Sequence, residues 1–183
     1  MALLEELKTL IWYHPSFSEE QIEQMGMCSM LSLEELRLLN MKNKGLPFDQ
    51  FVPNLRILSL ANSSTSSGDV SKISQLQHLE ILDLQGTKIS SDSVKKLASL
   101  KKLKELDLSR TNIRDASFSA LSVLPELKRL TLNSIHLSLN DLIELGALSQ
   151  LEYLDIRNFI NNNITKEHIE QLSARLPNCQ ILY

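Results

Sequence analysis

Leu103–Leu127 reads LKELDLSRTNIRDASFSALSVLPEL. Leu103, Leu106, Leu108 and Ile113 stand at the spacing L-x-x-L-x-L-x-x-x-x-I, and Phe118, Leu121 and Leu124 then recur every three residues before Leu127 restarts the pattern. The first half alternates, which turns Leu106 and Leu108 to one face of a short strand. The second half has the recurrence of one face of a helix. A 24-residue unit that runs out as a strand, turns and returns as a helix is one coil of a solenoid.

The rest of the chain repeats this unit. The opening leucine recurs as Leu7, Leu33, Leu55, Leu79, Leu103, Leu127 and Leu151, at spacings of 26, 22, 24, 24, 24 and 24 residues. Cys179 marks an eighth start 28 residues after Leu151, the excess coming mainly from Asn161, Asn162 and Asn163 in the turn. One unit offers about seven core side chains at roughly 2 kcal/mol each, against about 1–2 kcal/mol per residue for ordering the chain. A coil therefore completes its core only against stacked neighbours.

These registered starts resemble the leucine-rich repeat family over nearly the whole chain. The 24-residue period, with Thr87 and Thr111 where many relatives carry Asn, is similar to the strand-plus-helix units of ribonuclease-inhibitor-like arrays. The resemblance implies an α/β fold: a leucine-rich repeat solenoid with a curved parallel sheet on the concave face and short helices on the convex face. It forms one domain over residues 1–183, of about seven repeats plus a terminal strand. The turn position of the family's Asn ladder reads Pro15, Met41, Ser63, Thr87, Thr111, Ile135 and Phe159. Only the middle three are expected to bond the neighbouring backbone, leaving the ends less regular than the centre.

A net charge of −3 points to neither nucleic acid nor an anionic membrane as partner. The opening MALLEELKTL is acidic where a leader needs basic residues, and no apolar run is long enough for membrane insertion. Cys28 and Cys179 lie at opposite ends of the array, so each reads as a lone thiol. The cysteine clusters that cap extracellular relatives are missing, and a reducing, cytoplasmic compartment is expected, the host cytosol for a delivered effector.

Along the chain, Ser18 and Gln21 have capping-box spacing and predict a helix from Glu19. Ser66, Ser90, Ser138 and Thr165 hold the same place in later coils, with Arg114 the exception, and read as helix caps rather than nucleophiles. MKNKGLPF in the second coil predicts a loop or a single turn. Pro53, Pro125 and Pro177 end the helical segments before the next strand. Lys95, Lys96, Lys101, Lys102 and Lys104 read as a solvated convex face or a contact for an acidic partner.

Residues between the inward leucines face the concave side. The first such column is Thr9, Glu35, Ile57, Ile81, Glu105, Arg129, Tyr153; the second is Ile11, Arg37, Ser59, Asp83, Asp107, Thr131, Asp155; the third is Tyr13, Leu39, Ala61, Gln85, Ser109, Asn133, Arg157. None has an evident duty in the fold. Leu39, Ile57, Ala61 and Ile81 are expected to form a near-contiguous apolar patch. Arg129, Tyr153 and Arg157, among Asp83, Asp107 and Asp155, carry the residue types enriched at binding hot spots. Glu105 is placed to pair with Arg129.

Asp83 and Asp107 neighbour one another without a histidine or a third carboxylate beside them, so acid–base or metal chemistry is not expected. His14, His78, His136 and His168 occupy unrelated repeat positions, and neither a metal motif nor a phosphate loop is present. No cofactor is implied. The expected function is a non-catalytic module that binds a protein partner through the concave sheet, with a homodimer through an array end or the apolar patch as a further expectation. The resemblance also admits a regulatory or substrate-recognition part of an enzyme system, GTPase activator-like or ubiquitin-ligase-associated, including a secreted bacterial effector.

Overall fold

A computed structural model describes residues 6–27, 30–161 and 163–183. Cys28 and Asn162 therefore lie outside the described residues, as does the start of the MALLEELKTL segment. Each alternating stretch forms a strand: β1 Thr9–Tyr13, β2 Glu35–Leu39, β3 Ile57–Ser59, β4 Ile81–Asp83, β5 Glu105–Asp107, β6 Arg129–Thr131, β7 Tyr153–Asp155 and β8 Gln180–Leu182. They make one parallel sheet in sequence order, and the register aligns equivalent positions of successive coils.

The reason is burial. Leu36, Leu58, Leu82, Leu106, Leu130 and Leu154, at the strand centres, are at most 1% exposed. A slip of one residue would turn this whole row out to solvent. The opening leucines Leu33, Leu55, Leu79, Leu103, Leu127 and Leu151 are buried equally well.

The convex side carries α1 Glu19–Met27, α2 Phe48–Phe51, α3 Ser67–Ile73, α4 Ser91–Leu97, α5 Leu139–Leu145 and α6 Lys166–Arg175. α2 is the single turn expected of MKNKGLPF. The fifth coil differs from the others, because Phe118–Val123 is a 3-10 helix. Phe118, Leu121 and Leu124 are spaced at three residues, which suits a helix of three residues per turn, and Arg114 supplies no cap.

Ser18 and Gln21 form the expected reciprocal cap, Ser18 N–H donating to Gln21 Oε1 at 2.8 Å and Gln21 N–H to Ser18 Oγ at 3.2 Å. Asp69 accepts from the backbone and hydroxyl of Ser66, and Asp141 does the same for Ser138. Ser90 departs from the column: its hydroxyl meets Ser67 of the previous coil at 2.8 Å and ties two coils together.

The turn hydroxyls correct another expectation. Thr87 and Thr111 donate to Leu84 and Leu108 carbonyls, each at 2.6 Å, and Ser63 bonds Thr65. They close their own coil's turn, since a three-residue reach inside the coil is shorter than the step to a neighbour.

Candidate functional site

The register assembles the three outward columns as the alternation requires: Ile57 stands beside Ile81, Asp83 beside Asp107, Glu105 beside Arg129 and Arg129 beside Tyr153. Depth then separates them. In the first column Glu105 and Arg129 are exposed and Ile57, Ile81 and Tyr153 half-buried, whereas Ser59, Ala61, Ser109 and Asp155 are buried. The sheet surface is thus recessed at those four residues, while Ile11, Tyr13 and Arg157 of the same columns stay exposed.

The apolar patch is smaller than its sequence implied. Ile57 and Ile81 are adjacent and half-exposed, but Ala61 is only 8% exposed. Leu39 lies four residues further along the strand direction, roughly 13 Å from the first column. Arg37 intervenes, donating from Nε to Glu35 at 2.5 Å. What remains is an isoleucine pair lining a hollow of about 310 Å³ rimmed by Lys8, Glu34, Glu35, Arg56 and Glu80.

The second patch is held by its own contacts. The Arg129 guanidinium lies 3.9 Å from the centre of the Tyr153 ring, and its Nε is 3.9 Å from Glu105. Stacking of this kind fixes a long side chain that would otherwise lose its freedom on binding. Arg157 clasps Asp155 with two parallel bonds, of 3.0 and 2.7 Å. The Arg157 guanidinium, donating to Asp155, holds that carboxyl below its ordinary value.

The second column does have a duty in the fold, contrary to expectation. Asp83, Asp107 and Asp155 each accept a backbone N–H two residues on, from Gln85 at 3.0 Å, Ser109 at 2.8 Å and Arg157 at 3.0 Å. A short acidic side chain can close the strand's end in this way. Asp155 thus positions Arg157. Ser59 donates to Asp83 at 2.7 Å. Burial raises the Asp107 carboxyl above its ordinary value, opposed by its bonds to Ser109. Asp83 and Asp107 line a shallow concavity with Ile81, Glu105, Arg129 and Thr131.

Sequence reasoning missed a fourth column. The residue after each opening leucine reads Lys8, Glu34, Arg56, Glu80, Lys104, Lys128 and Glu152. Stacked coils turn that alternation into ion pairs: Lys8–Glu34 at 3.2 Å, Arg56–Glu34 at 3.6 Å, Arg56–Glu80 at 2.7 Å, Lys104–Glu80 at 2.8 Å and Lys128–Glu152 at 3.0 Å. The alternation at the repeat period, broken once where Lys128 follows Lys104, was visible. Of the five lysines read as a convex run, Lys104 belongs to this ladder on the sheet edge instead.

A family model described as Leucine rich repeat matches residues 53–113 and 78–137. No curated protein matches the chain by sequence. Among solved structures, internalin C2 of Listeria monocytogenes is similar over 98% of this chain and 72% of its own length, with 25% identity and a TM-score of 0.71. A leucine-rich repeat protein of Leptospira interrogans is similar over 98% of this chain and 50% of its own, with 23% identity and a TM-score of 0.65. The chain thus spans half the length of that protein. An internalin (inlF) of Listeria monocytogenes shares 20% identity over 98% of this chain and 67% of its own, with a TM-score of 0.51. The last two are likenesses of fold.

Proposed function

The chain belongs to the leucine-rich repeat family, and from that premise we propose that it is a non-catalytic module that binds a partner protein through its concave sheet. Leucine-rich repeat folds generally mediate contacts between proteins. The observation that carries the reading is the first column, where the isoleucine pair Ile57–Ile81 and the stacked pair Arg129–Tyr153 stand on one rigid row of strands. Such a row holds its side chains in place before the partner arrives, which lowers the ordering cost of association. Arg157, exposed in the third column, extends it, steered by Asp155.

The test is a comparison of the intact chain with two variants, Ile57→Asp/Ile81→Asp and Arg129→Ala/Tyr153→Ala, each first shown to keep its circular dichroism spectrum and unfolding midpoint. All of these side chains are half-buried or exposed, so the fold is expected to survive their replacement. Immobilised protein is challenged with lysate, and captured proteins are identified by mass. A partner retained by the intact chain and lost from either variant supports the concave reading; one retained by both overturns it.

A further inference from the structure

The convex helices are polar at their first and fifth positions in every coil with a full helix but one. Those two positions, one turn apart on the outer face, carry Glu19 and Glu23 in α1, Ser67 and Ser71 in α3, Ser91 and Lys95 in α4, and Lys166 and Glu170 in α6. In the 3-10 coil the equivalent residues are Asp115 and Ser119. Only α5 departs, with Leu139 42% and Ile143 57% exposed. The repeat does not require aliphatic side chains there, because its other copies do without them.

α5 packs beside α6, and a cleft of about 190 Å³ runs between them. Leu142 and Leu172, at most 5% exposed, form its floor; Leu139 and Ile143 form one wall, and His168 and Arg175 stand on the other. His168 Nδ1 is already engaged by Thr165, at 3.1 Å from its N–H and 2.9 Å from its hydroxyl. The Arg175 stem lies against Gly146, its Cδ in the space that a β-carbon there would claim. This close approach sets the Arg175 stem against the C-cap of α5. No carboxylate lines the cleft, and among the described residues no carboxylate forms an ion pair with Arg175.

The cleft is smaller than the roughly 300–1,000 Å³ of small-molecule pockets, so it suits side chains of a polypeptide. We propose that it docks an amphipathic helical segment of a partner protein, aliphatic side chains on Leu139 and Ile143 and a carboxylate against Arg175. An apolar wall facing an unneutralised cation selects that chemistry: helix-in-groove binding supplies the apolar contact, and the carboxylate supplies a bidentate mate for the guanidinium. The site is on the opposite face from the concave columns and stands independently of them.

The experiment uses the full chain with labelled Ile and Leu methyl groups and a synthetic helical peptide of ~15 residues. The peptide carries Leu along one face and Glu on the other; a matched control has Lys in place of Glu. Titration with the acidic peptide is expected to shift the methyl resonances of Leu139, Ile143 and Leu172, with the basic control binding at least about tenfold more weakly. Leu139→Ser/Ile143→Ser, which installs the third coil's residues, should lose about tenfold or more in affinity. Arg175→Ala should retain contact while losing the preference for the acidic peptide. Ile57→Asp/Ile81→Asp should bind unchanged, so a failure of the concave reading leaves this one intact. Equal binding of both peptides, binding that survives in the double serine variant, or shifts confined to concave methyls would overturn the proposal. A concentration-dependent dimer that the double serine variant abolishes would overturn the choice of occupant in favour of a second copy.

Discussion

Glu80 shows how one residue serves its neighbours on both sides. Arg56 and Lys104 reach it from the coils before and after, at 2.7 and 2.8 Å. Their hydrogen bonds, Arg56's first, lower its carboxyl from 4.5 to about 2. A depressed carboxyl stabilises the fold at pH above its ordinary value and loses that contribution as pH falls toward the folded value. Glu80→Gln is therefore expected to be less stable than the parent at pH 7, with the gap closing between pH 4.5 and about 2. Solvent screening keeps the neutral-pH loss to about 1 kcal/mol or less. Urea unfolding at both ends of that window checks this; a gap that persists near pH 2 would show that the ion pairs are not its source. Asp107 has the opposite sign: its carboxyl is raised by burial, so ionisation at neutral pH works against the fold.

At the scale of an element, the turn after each strand is the most constrained part of the coil. His14, Asn40, Asn62, Gly86, Arg110, Ser134 and Asn158 occupy one repeat position, all with φ between 53° and 66°. Left-handed backbone costs an ordinary L-residue about 1–2 kcal/mol, while glycine adopts it freely and asparagine tolerates it. Four of the seven coils use those residues, and Arg110 does not. Arg110→Gly should stabilise the protein by about 0.5–1 kcal/mol. Gly86→Ala should destabilise it by about 1–2 kcal/mol, since an added β-carbon also meets Asn62 Oδ1. Thermal unfolding of the pair should shift the midpoint in opposite directions; a shared direction would mean that packing, not backbone conformation, governs the turn.

For the whole molecule, protection follows the stacking. Interior inward positions such as Leu82, Leu106 and Leu130 are at most 1% exposed, whereas Trp12, at an inward position of β1, is 47% exposed. It leans edge-on against Phe17 at 5.4 Å. A coil with a neighbour on one side only gains half of the nearest-neighbour energy that sustains a repeat array. Hydrogen exchange should therefore be slowest in β4–β6 and fastest in β1. Uniform rates from β1 to β8 would instead describe a single cooperative unit.

The repeat period, the strand phase and the order of the columns followed from the sequence alone, because leucines spaced at 24 residues can be buried together in only one register. Ile57 beside Ile81 and Arg129 beside Tyr153 were legible for that reason. Depth was not. Ala61 and Asp155 stand in the outward phase, yet both are buried, Asp155 beneath its bonds to Arg157. The fifth coil's departure was marked in the sequence by Arg114 and by the three-residue spacing of Phe118, Leu121 and Leu124, whereas the aspartates' role in closing strand ends turned on backbone donors that no residue pattern displays. The cleft between α5 and α6 belongs to the same class, since only packing leaves Leu139 and Ile143 outside the core. Periodicity decides which face a side chain takes; how much water reaches it is decided only when the coils stack.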